Sequence, residues 1–339
     1  MQRCLQLARQ GLGTTYPNPM VGAVVVYDQK IVGEGWHQKA GKPHAEVHAI
    51  QSVTDKNILK KATLYVSLEP CSHYGRTPPC ADLIIASQIK KVVIGTTDPF
   101  AKVAGSGIQK LKDAGCEVVT DVLKEICDDL NKRFFTFHQK KRPYLILKWA
   151  ETSDGFIAPN QQADGKPFWI SNPYSRQLVH QWRTQEQGIF VGTNTVLKDD
   201  PELTARNWKG AHPVRITIDR NNRILDTAKI LNDQATTYIF TNKEDKEINN
   251  LKYIHLPPQE NFVEQLCKKL YKRNLQSVII EGGRRTLQSF IESGIWDEAR
   301  IFRGNSNLFS GVKAPVLSNG RKINTATIHG DHLTIYYND

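Results

Sequence analysis

Two short segments constrain this chain more than any others: Pro43-His44-Ala45-Glu46, and Glu69-Pro70-Cys71 with Pro78-Pro79-Cys80 nine residues on. A histidine, a nearby glutamate and two cysteines flanked by prolines are the parts of a zinc site that activates water. Three protein ligands leave a fourth position for water, as catalytic zinc requires, whereas structural zinc closes its shell. His44, Cys71 and Cys80 are the candidate ligands. Glu46 is the candidate catalytic residue, free to take a proton from the activated water and hand it on. Residues two apart in a helix point to different sides, so His44 and Glu46 converge on one ion only in a first turn, where Pro43 places them. Cys80 falls just after Pro78-Pro79 at an expected helix start, where free N–H groups and the helix dipole favour a thiolate. The fold must therefore bring two helix starts and a strand end to one point.

The rest of the composition narrows the setting. With 339 residues the chain is long for one domain, and two are expected. No apolar run approaches the roughly 18 residues of a membrane span. The start, Met1 to Arg9, reads as an amphipathic helix rather than a signal peptide, which points to the cytoplasm and away from a membrane. Six cysteines are too few for a disulfide scaffold of this length, and Cys4, Cys116, Cys127 and Cys267 read as buried small hydrophobes. The formal charge of +11 invites a nucleic-acid reading. Basic residues are nevertheless spread along the chain, and an anionic small substrate suffices. His48 lies four residues after His44, as in metalloproteases, but those need Glu directly after the first His, where Ala45 stands here. His48 is read as a packed or supporting histidine. His73, inside the cysteine loop, is open between substrate contact and loop structure.

Helices alternate with strands along the chain. Residues 21–27 and 30–36 read as a hairpin, followed by a helix over 43–50, a strand over 62–68, a helix over 79–87, a strand over 91–96, a helix over 106–114 and a strand over 116–119. One further helix over 123–138 ends at Gln139-Lys140-Lys141-Arg142-Pro143, which sets the expected domains at 1–142 and 143–339. The second pattern has strands at 144–149, 188–192, 214–219, 237–241 and 277–281, and helices near 172–185, 261–272 and 285–293. Both halves are layered α/β. The last strand runs into Gly282-Gly283 and a helix, a turn that offers backbone N–H groups to a pyrophosphate.

Set side by side, Pro17-Asn18-Pro19-Met20-Val21-Gly22, His44-Ala45-Glu46-Val47-His48-Ala49 and the stretch from Leu68 to Cys80 closely resemble the bifunctional riboflavin-biosynthesis deaminase/reductase family. The eight residues between the cysteines, Ser-His-Tyr-Gly-Arg-Thr-Pro-Pro, are what that family has where other zinc deaminases carry Cys-x-x-Cys. The resemblance implies a cytidine-deaminase-like α/β/α zinc domain followed by a dihydrofolate-reductase-like α/β domain. It implies one Zn2+ per chain, NADPH as second cofactor, a phosphorylated pyrimidine as substrate and a homodimer or homotetramer. By the same resemblance Asn18, His73, Arg76 and Asp98 contact substrate in the first domain. Glu151, Trp169, Thr195, Asp199 and Gly283 onward contact NADPH in the second, and Arg183, Leu203, Arg206 and Glu281 contact its substrate. The chain departs from the family at several places. Met1 lies inside what is usually a longer first helix. Glu151 stands where a small residue is frequent, Phe100 where Asn is common, and Pro167 in place of a serine. The usual Ala-Pro-Lys segment is not recognisable around Phe302-Arg303-Gly304-Asn305.

Competing readings are a deaminase with an impaired reductase half and a tRNA or nucleobase deaminase with an appended binding domain. In a non-enzyme reading the zinc is a structural staple beside a nucleotide-sensing module. Retained zinc with lost ammonia release in a Glu46→Gln variant separates the enzymes from the staple.

Overall fold

The computed structural model describes residues 1–74, 78–99, 105–160, 168–258 and 261–338. They divide into two units, Met1–Lys141 and Arg142–Asp339. The first begins with helix α1 (Gln2–Ala8) and the hairpin of β1 (Gly22–Tyr27) and β2 (Lys30–Trp36). Its two turn residues, Asp28 and Gln29, take left-handed φ values of 48° and 60°. Two positive φ angles are the turn geometry whose twist matches that of the paired strands. Then come α2 (Ala45–Ser52), β3 (Thr63–Val66), α3 (Cys80–Ala86), β4 (Lys91–Ile94), α4 (Ser106–Asp113), β5 (Glu117–Val119), α5 (Lys124–Leu130) and α6 (Lys132–Lys140).

Among the described residues the first sheet runs β2-β1-β3-β4-β5, antiparallel at the hairpin and at β1–β3, parallel from β3 to β5. Ala45, Ala49 and Ile50 of α2 pack with Ala81 and Ile84 of α3 on Leu64, Val66, Val92 and Ile94 of the sheet. Glycines let α2 approach closely: a Cβ on Gly33 would stand 2.4 Å from the Ala49 carbonyl oxygen, and one on Gly35 2.4 Å from His48 Cβ. The start of α2, with His44 as its N-cap, is thereby fixed against the hairpin.

The single helix expected over 123–138 is two helices, α5 and α6, parted at Asn131. Asn131 is 1% exposed; its Nδ2 donates to the Met20 carbonyl at 2.9 Å and its Oδ1 accepts from the Met20 N–H at 2.8 Å. An amide spent on the backbone before the hairpin outweighs helical continuity there.

The second unit contains β6 (Tyr144–Glu151), β7 (Phe156–Ala158), α7 (Pro173–Gln185), β8 (Gly188–Val191), α8 (Thr193–Asp199), β9 (Val214–Ile218), β10 (Thr237–Thr241), β11 (Lys246–Ile248), β12 (Leu251–His255), α9 (Phe262–Tyr271), β13 (Ser277–Ile280), α10 (Arg284–Glu292), β14 (Glu298–Arg303), β15 (Val312–Lys313), β16 (Arg321–Ile328) and β17 (Asp331–Tyr337). Among the described residues its main sheet has the order β11-β12-β10-β9-β8-β13-β6-β14-β17-β16, parallel from β12 through β14. Every residue of β8 and β13 is buried, as expected of parallel strands covered on both faces. Alternation sorts them. Phe190, Val278 and Ile280 face α9 and α10 with Leu266, Leu287 and Phe290. Ile189, Val191 and Ile279 face α7 with Val179 and Trp182.

Replacing Asn131 by Ala strands the Met20 N–H and carbonyl in the interior, and is expected to cost about 2–4 kcal/mol of unfolding free energy in a denaturant titration. A cost within experimental error of zero would show that the amide does not hold the hairpin to the helix pair.

Candidate active sites

In the first unit the three candidate ligands meet. His44 Nδ1 lies 3.6 Å from Cys71 Sγ and 3.3 Å from Cys80 Sγ, and all three donor atoms fall within 4.8 Å of one another. His44 caps α2, Cys71 follows the loop after β3, and Cys80 is the first residue of α3. The Cys80 N–H, one of the free donors at that helix start, points at Cys71 Sγ from 3.3 Å. Hydrogen bonds from Cys80 and His44 bring the Cys71 thiol down to about 4, against the opposing effect of burial. The bond to Cys71 in turn raises His44. Two cysteine sulfurs and an imidazole nitrogen make a donor set that fits zinc, with a fourth position left open.

Glu46 sits on the first turn of α2, 3% exposed. Burial pushes its carboxyl up against the pull of His44. Asn18 stands beside this cluster through His37, a residue sequence reasoning passed over. His37 is buried; its Nδ1 must be the donor toward the Pro43 carbonyl at 3.1 Å, which makes Nε2 the acceptor for Asn18 Nδ2, also at 3.1 Å. Asn18 thus spends one of its two amide N–H groups on His37. The His37 ring meets that of His44 edge-on at 5.3 Å between centroids.

A second overlooked residue is Glu69. Its buried carboxylate accepts from the N–H groups of Asp98 (3.2 Å), Gly105 (3.0 Å), Gly107 (2.9 Å) and Ile108 (3.3 Å). It ties the chain after β4, including Asp98, to the segment that carries Cys71. Gly107 is needed for this closeness, since a Cβ there would stand 2.0 Å from the Pro70 carbonyl oxygen. His73 is exposed on the cysteine loop, and Arg76 lies outside the described residues, as do Phe100 and Pro167.

In the second unit the candidates collect at the carboxyl ends of parallel strands. Gly192 caps α8 and Gly283 caps α10. The Gly283 N–H donates to Thr195 Oγ1 at 2.9 Å, and a Cβ on Gly192 would stand 2.6 Å from Thr286 Oγ1, so two helix starts lie together. Thr195 and Asp199, four apart on α8, share one side of it. Elsewhere, Gly304 touches both Glu151 and Ile170, the residue after Trp169. Its N–H donates to the Glu151 carbonyl at 2.9 Å, and a Cβ on it would stand 2.5 Å from the carbonyl oxygen of Ile170. Trp169 is exposed and lies under the Arg176 guanidinium at 4.6 Å.

Arg183 of α7 links to Glu281 at 3.2 Å and to the Thr204 carbonyl at 3.1 Å; Lys148 of β6 approaches Glu281 from 3.5 Å. Burial pushes the Glu281 carboxyl up, but Lys148 and Arg183 outweigh it and hold it below the ordinary carboxylate range. Leu203 beside this cluster is buried, with a left-handed φ of 59°, and Arg206 is half-exposed 3.7 Å from Glu202. Burial, with Arg183 and Arg206 nearby, drives His180 down to about 4. His180 Nδ1, Arg183 Nε and Thr204 Oγ1 are buried without a hydrogen-bond partner among the described residues. A polar ligand would answer them. Lys148 carried a signal in the sequence: a lone cation inside the otherwise apolar run from Tyr144 to Ala150.

Fold and sites together define a two-domain enzyme, a zinc-deaminase-type domain joined to an α/β reductase-type domain. Residues 1–96 match the cytidine and deoxycytidylate deaminase zinc-binding region, and residues 143–323 match the RibD C-terminal domain. The chain belongs to the RibD family, the bifunctional deaminase/reductases of riboflavin biosynthesis. It is 44% identical over 307 residues to riboflavin biosynthesis protein RibD of Aquifex aeolicus, covering 89% of this chain and 85% of that one. With the Escherichia coli protein of the same name the identity is 37%, covering 89% and 86%. The crystal structure of a diaminohydroxyphosphoribosylaminopyrimidine deaminase/5-amino-6-(5-phosphoribosylamino)uracil reductase from Thermotoga maritima superposes with a TM-score of 0.90 at 37% identity, over 100% of this chain and 97% of that one. Among the described residues no helix is long and apolar enough to cross a membrane.

The purified chain is expected to hold zinc through dialysis, and Cys71→Ser to lose it, as read by metal analysis; full zinc retention in that variant would contradict the ligand set. Glu281 supplies a separate prediction. Its folded carboxyl is depressed, so the stability it contributes is present above the unfolded value of about 4.3 and lost as pH falls through the folded one. The melting-temperature gap between the parent chain and Glu281→Gln should therefore be widest near neutrality and narrow below about pH 4. A gap that does not change with pH would rule out this account of Glu281.

Proposed function

We propose that the chain carries out two consecutive steps on one phosphorylated pyrimidine. The first is hydrolytic removal of the 2-amino group of 2,5-diamino-6-(ribosylamino)-4(3H)-pyrimidinone 5′-phosphate, in residues 1–142. The second is NADPH-dependent reduction of the ribosyl group to ribityl, in residues 143–339. The observation that carries the first step is the meeting of His44 Nδ1, Cys71 Sγ and Cys80 Sγ with the Glu46 carboxylate at their edge. Zinc bound by the three ligands would supply a water acidic enough to attack at neutral pH. Glu46, buried and not a ligand, takes a proton from that water and passes it to the departing amine, so that water is consumed and ammonia released. Asn18, held by its bond to His37, offers its remaining amide groups to the substrate ring. Asp98, His73 and Arg76 complete the substrate contacts, and Glu69 keeps Asp98 in place.

For the second step the supporting observation is the set of unpartnered buried atoms on His180, Arg183 and Thr204 beside Glu281 and Lys148. NADPH, contacted by Glu151, Trp169, Thr195, Asp199 and Gly283, would supply the hydride. The sugar carbon bound to nitrogen accepts it, its bond to the ring oxygen breaks and that oxygen takes a proton. Arg183 and Arg206 offer cations to the substrate phosphate, Glu281 accepts from sugar hydroxyls, and Leu203 lines the pocket. In this reading the chain is a cytoplasmic homo-oligomer, dimer or tetramer, acting on free small molecules. Its charge of +11 suits anionic substrates without nucleic acid or membrane.

Glu46→Gln is expected to keep zinc and fold while ammonia release falls by roughly a hundredfold or more. Unchanged release would overturn the proton role. Arg183→Ala is expected to raise the reductase KM for the deaminated substrate by about tenfold and to leave ammonia release as it was. An equal loss in both reactions would contradict the division into two sites.

A further inference from the structure

Two of the places where the chain departs from its family, Glu151 and the segment around Arg303, face each other. β6 and β14 pair in parallel with Arg303 opposite Glu151. Arg303 Nε and Nη2 both reach Glu151 Oε1, at 3.0 and 2.7 Å, while Glu151 Oε2 accepts from Trp149 Nε1 at 2.9 Å. The carboxylate is buried, with 9% side-chain exposure, whereas the Arg303 side chain is 60% exposed. Both of its bonds go to a single oxygen, and Nη1 has no partner among the described residues. The guanidinium therefore covers the carboxylate and turns a free edge outward. Gly304, the residue after Arg303, packs against the carbonyl of Ile170, the residue after Trp169.

We propose that Arg303 is a cofactor-binding residue of the reductase domain, which neutralises Glu151 and offers the outward edge of its guanidinium to the anionic dinucleotide. The inference rests on the reductase reading above and deepens it. A nicotinamide dinucleotide phosphate is a polyanion, and a bare carboxylate at one of its contact positions would repel it. An arginine clamped over that carboxylate changes the local charge from −1 to zero and adds free N–H donors on the side a ligand can reach. A merely structural ion pair would not need its cation exposed. It would also leave affinity for the dinucleotide independent of which partner is removed. The neutralising role predicts an asymmetry: losing Arg303 exposes a buried negative charge, whereas losing the charge of Glu151 leaves only a cation, which an anion tolerates.

The test is the equilibrium affinity of the full chain for NADPH, read from the change in NADPH fluorescence on binding, with thermal unfolding recorded for each variant. Arg303→Ala is expected to weaken binding on the order of tenfold, with the loss shrinking as salt is raised. Arg303→Lys, which keeps the charge but not the planar fork, and Glu151→Gln should each weaken binding less than Arg303→Ala does. The double variant Glu151→Gln/Arg303→Ala should recover most of what Arg303→Ala loses. Binding by Arg303→Ala equal to that of the parent, or a double variant as weak as Arg303→Ala, would overturn the proposal. Should Arg303→Ala fail to fold, Arg303→Gln takes its place, and binding by that variant equal to the parent's would overturn it as well. A parent chain that binds no NADPH would instead overturn the reductase reading beneath it.

Discussion

Both domains place their chemistry where parallel strands end, and this follows from how a parallel strand must finish. At its carboxyl end the chain leaves the ladder and turns into a helix, whose first N–H groups have no partner inside the helix. After β3 comes the loop to Cys71, after β4 the stretch with Asp98, after β8 and β13 the glycines that cap α8 and α10, and after β14 the corner of Gly304. The free donors at these ends are taken up by something acidic. At Cys80 it is the Cys71 sulfur, and at α4 it is Glu69. At α10 the Gly283 N–H meets a hydroxyl, Thr195 Oγ1, a partner that a phosphate oxygen could displace.

Charge buried at these ends is costly unless matched, and the matches distinguish support from function. Glu69 is answered by four backbone N–H groups, a closed arrangement. Glu281, Arg183 and His180 are not closed: two cations share one carboxylate while atoms beside them stay unpartnered. That incompleteness, more than the presence of charge, marks the reductase-side cluster as a place for a polar ligand.

Much of the first domain was legible in the sequence because its constraints are local. Proline before His44 and Cys80 signals helix starts, and a turn of Asp28-Gln29 between two β-branched runs signals a hairpin. The break at Asn131 was not legible, since it depends on Met20, more than a hundred residues away. The strands after residue 297 were hidden for a related reason. Glu298 and Arg300 are charged yet buried in an ion-paired cluster, so the apolar alternation that announces a strand is masked. Of the site, His44, Cys71, Cys80 and Glu46 could be found from residue type and spacing alone. His37, Glu69 and Lys148 act through partners distant in the chain, and of these only Lys148 left a trace, as a cation within an apolar run. Glu151 and the segment around Arg303 stood out only as departures from the family, and their pairing did not show.

The central claim is that one chain holds two sites acting in order on the same molecule. The direct test is a single time course in which the parent chain receives the diaminopyrimidine ribosyl phosphate and NADPH, with ammonia and NADPH followed together. The account predicts that ammonia appears first, that NADPH oxidation follows after a lag, and that the two reach equal amounts. Ammonia release with no subsequent NADPH oxidation, or NADPH oxidation that precedes it, would contradict the account.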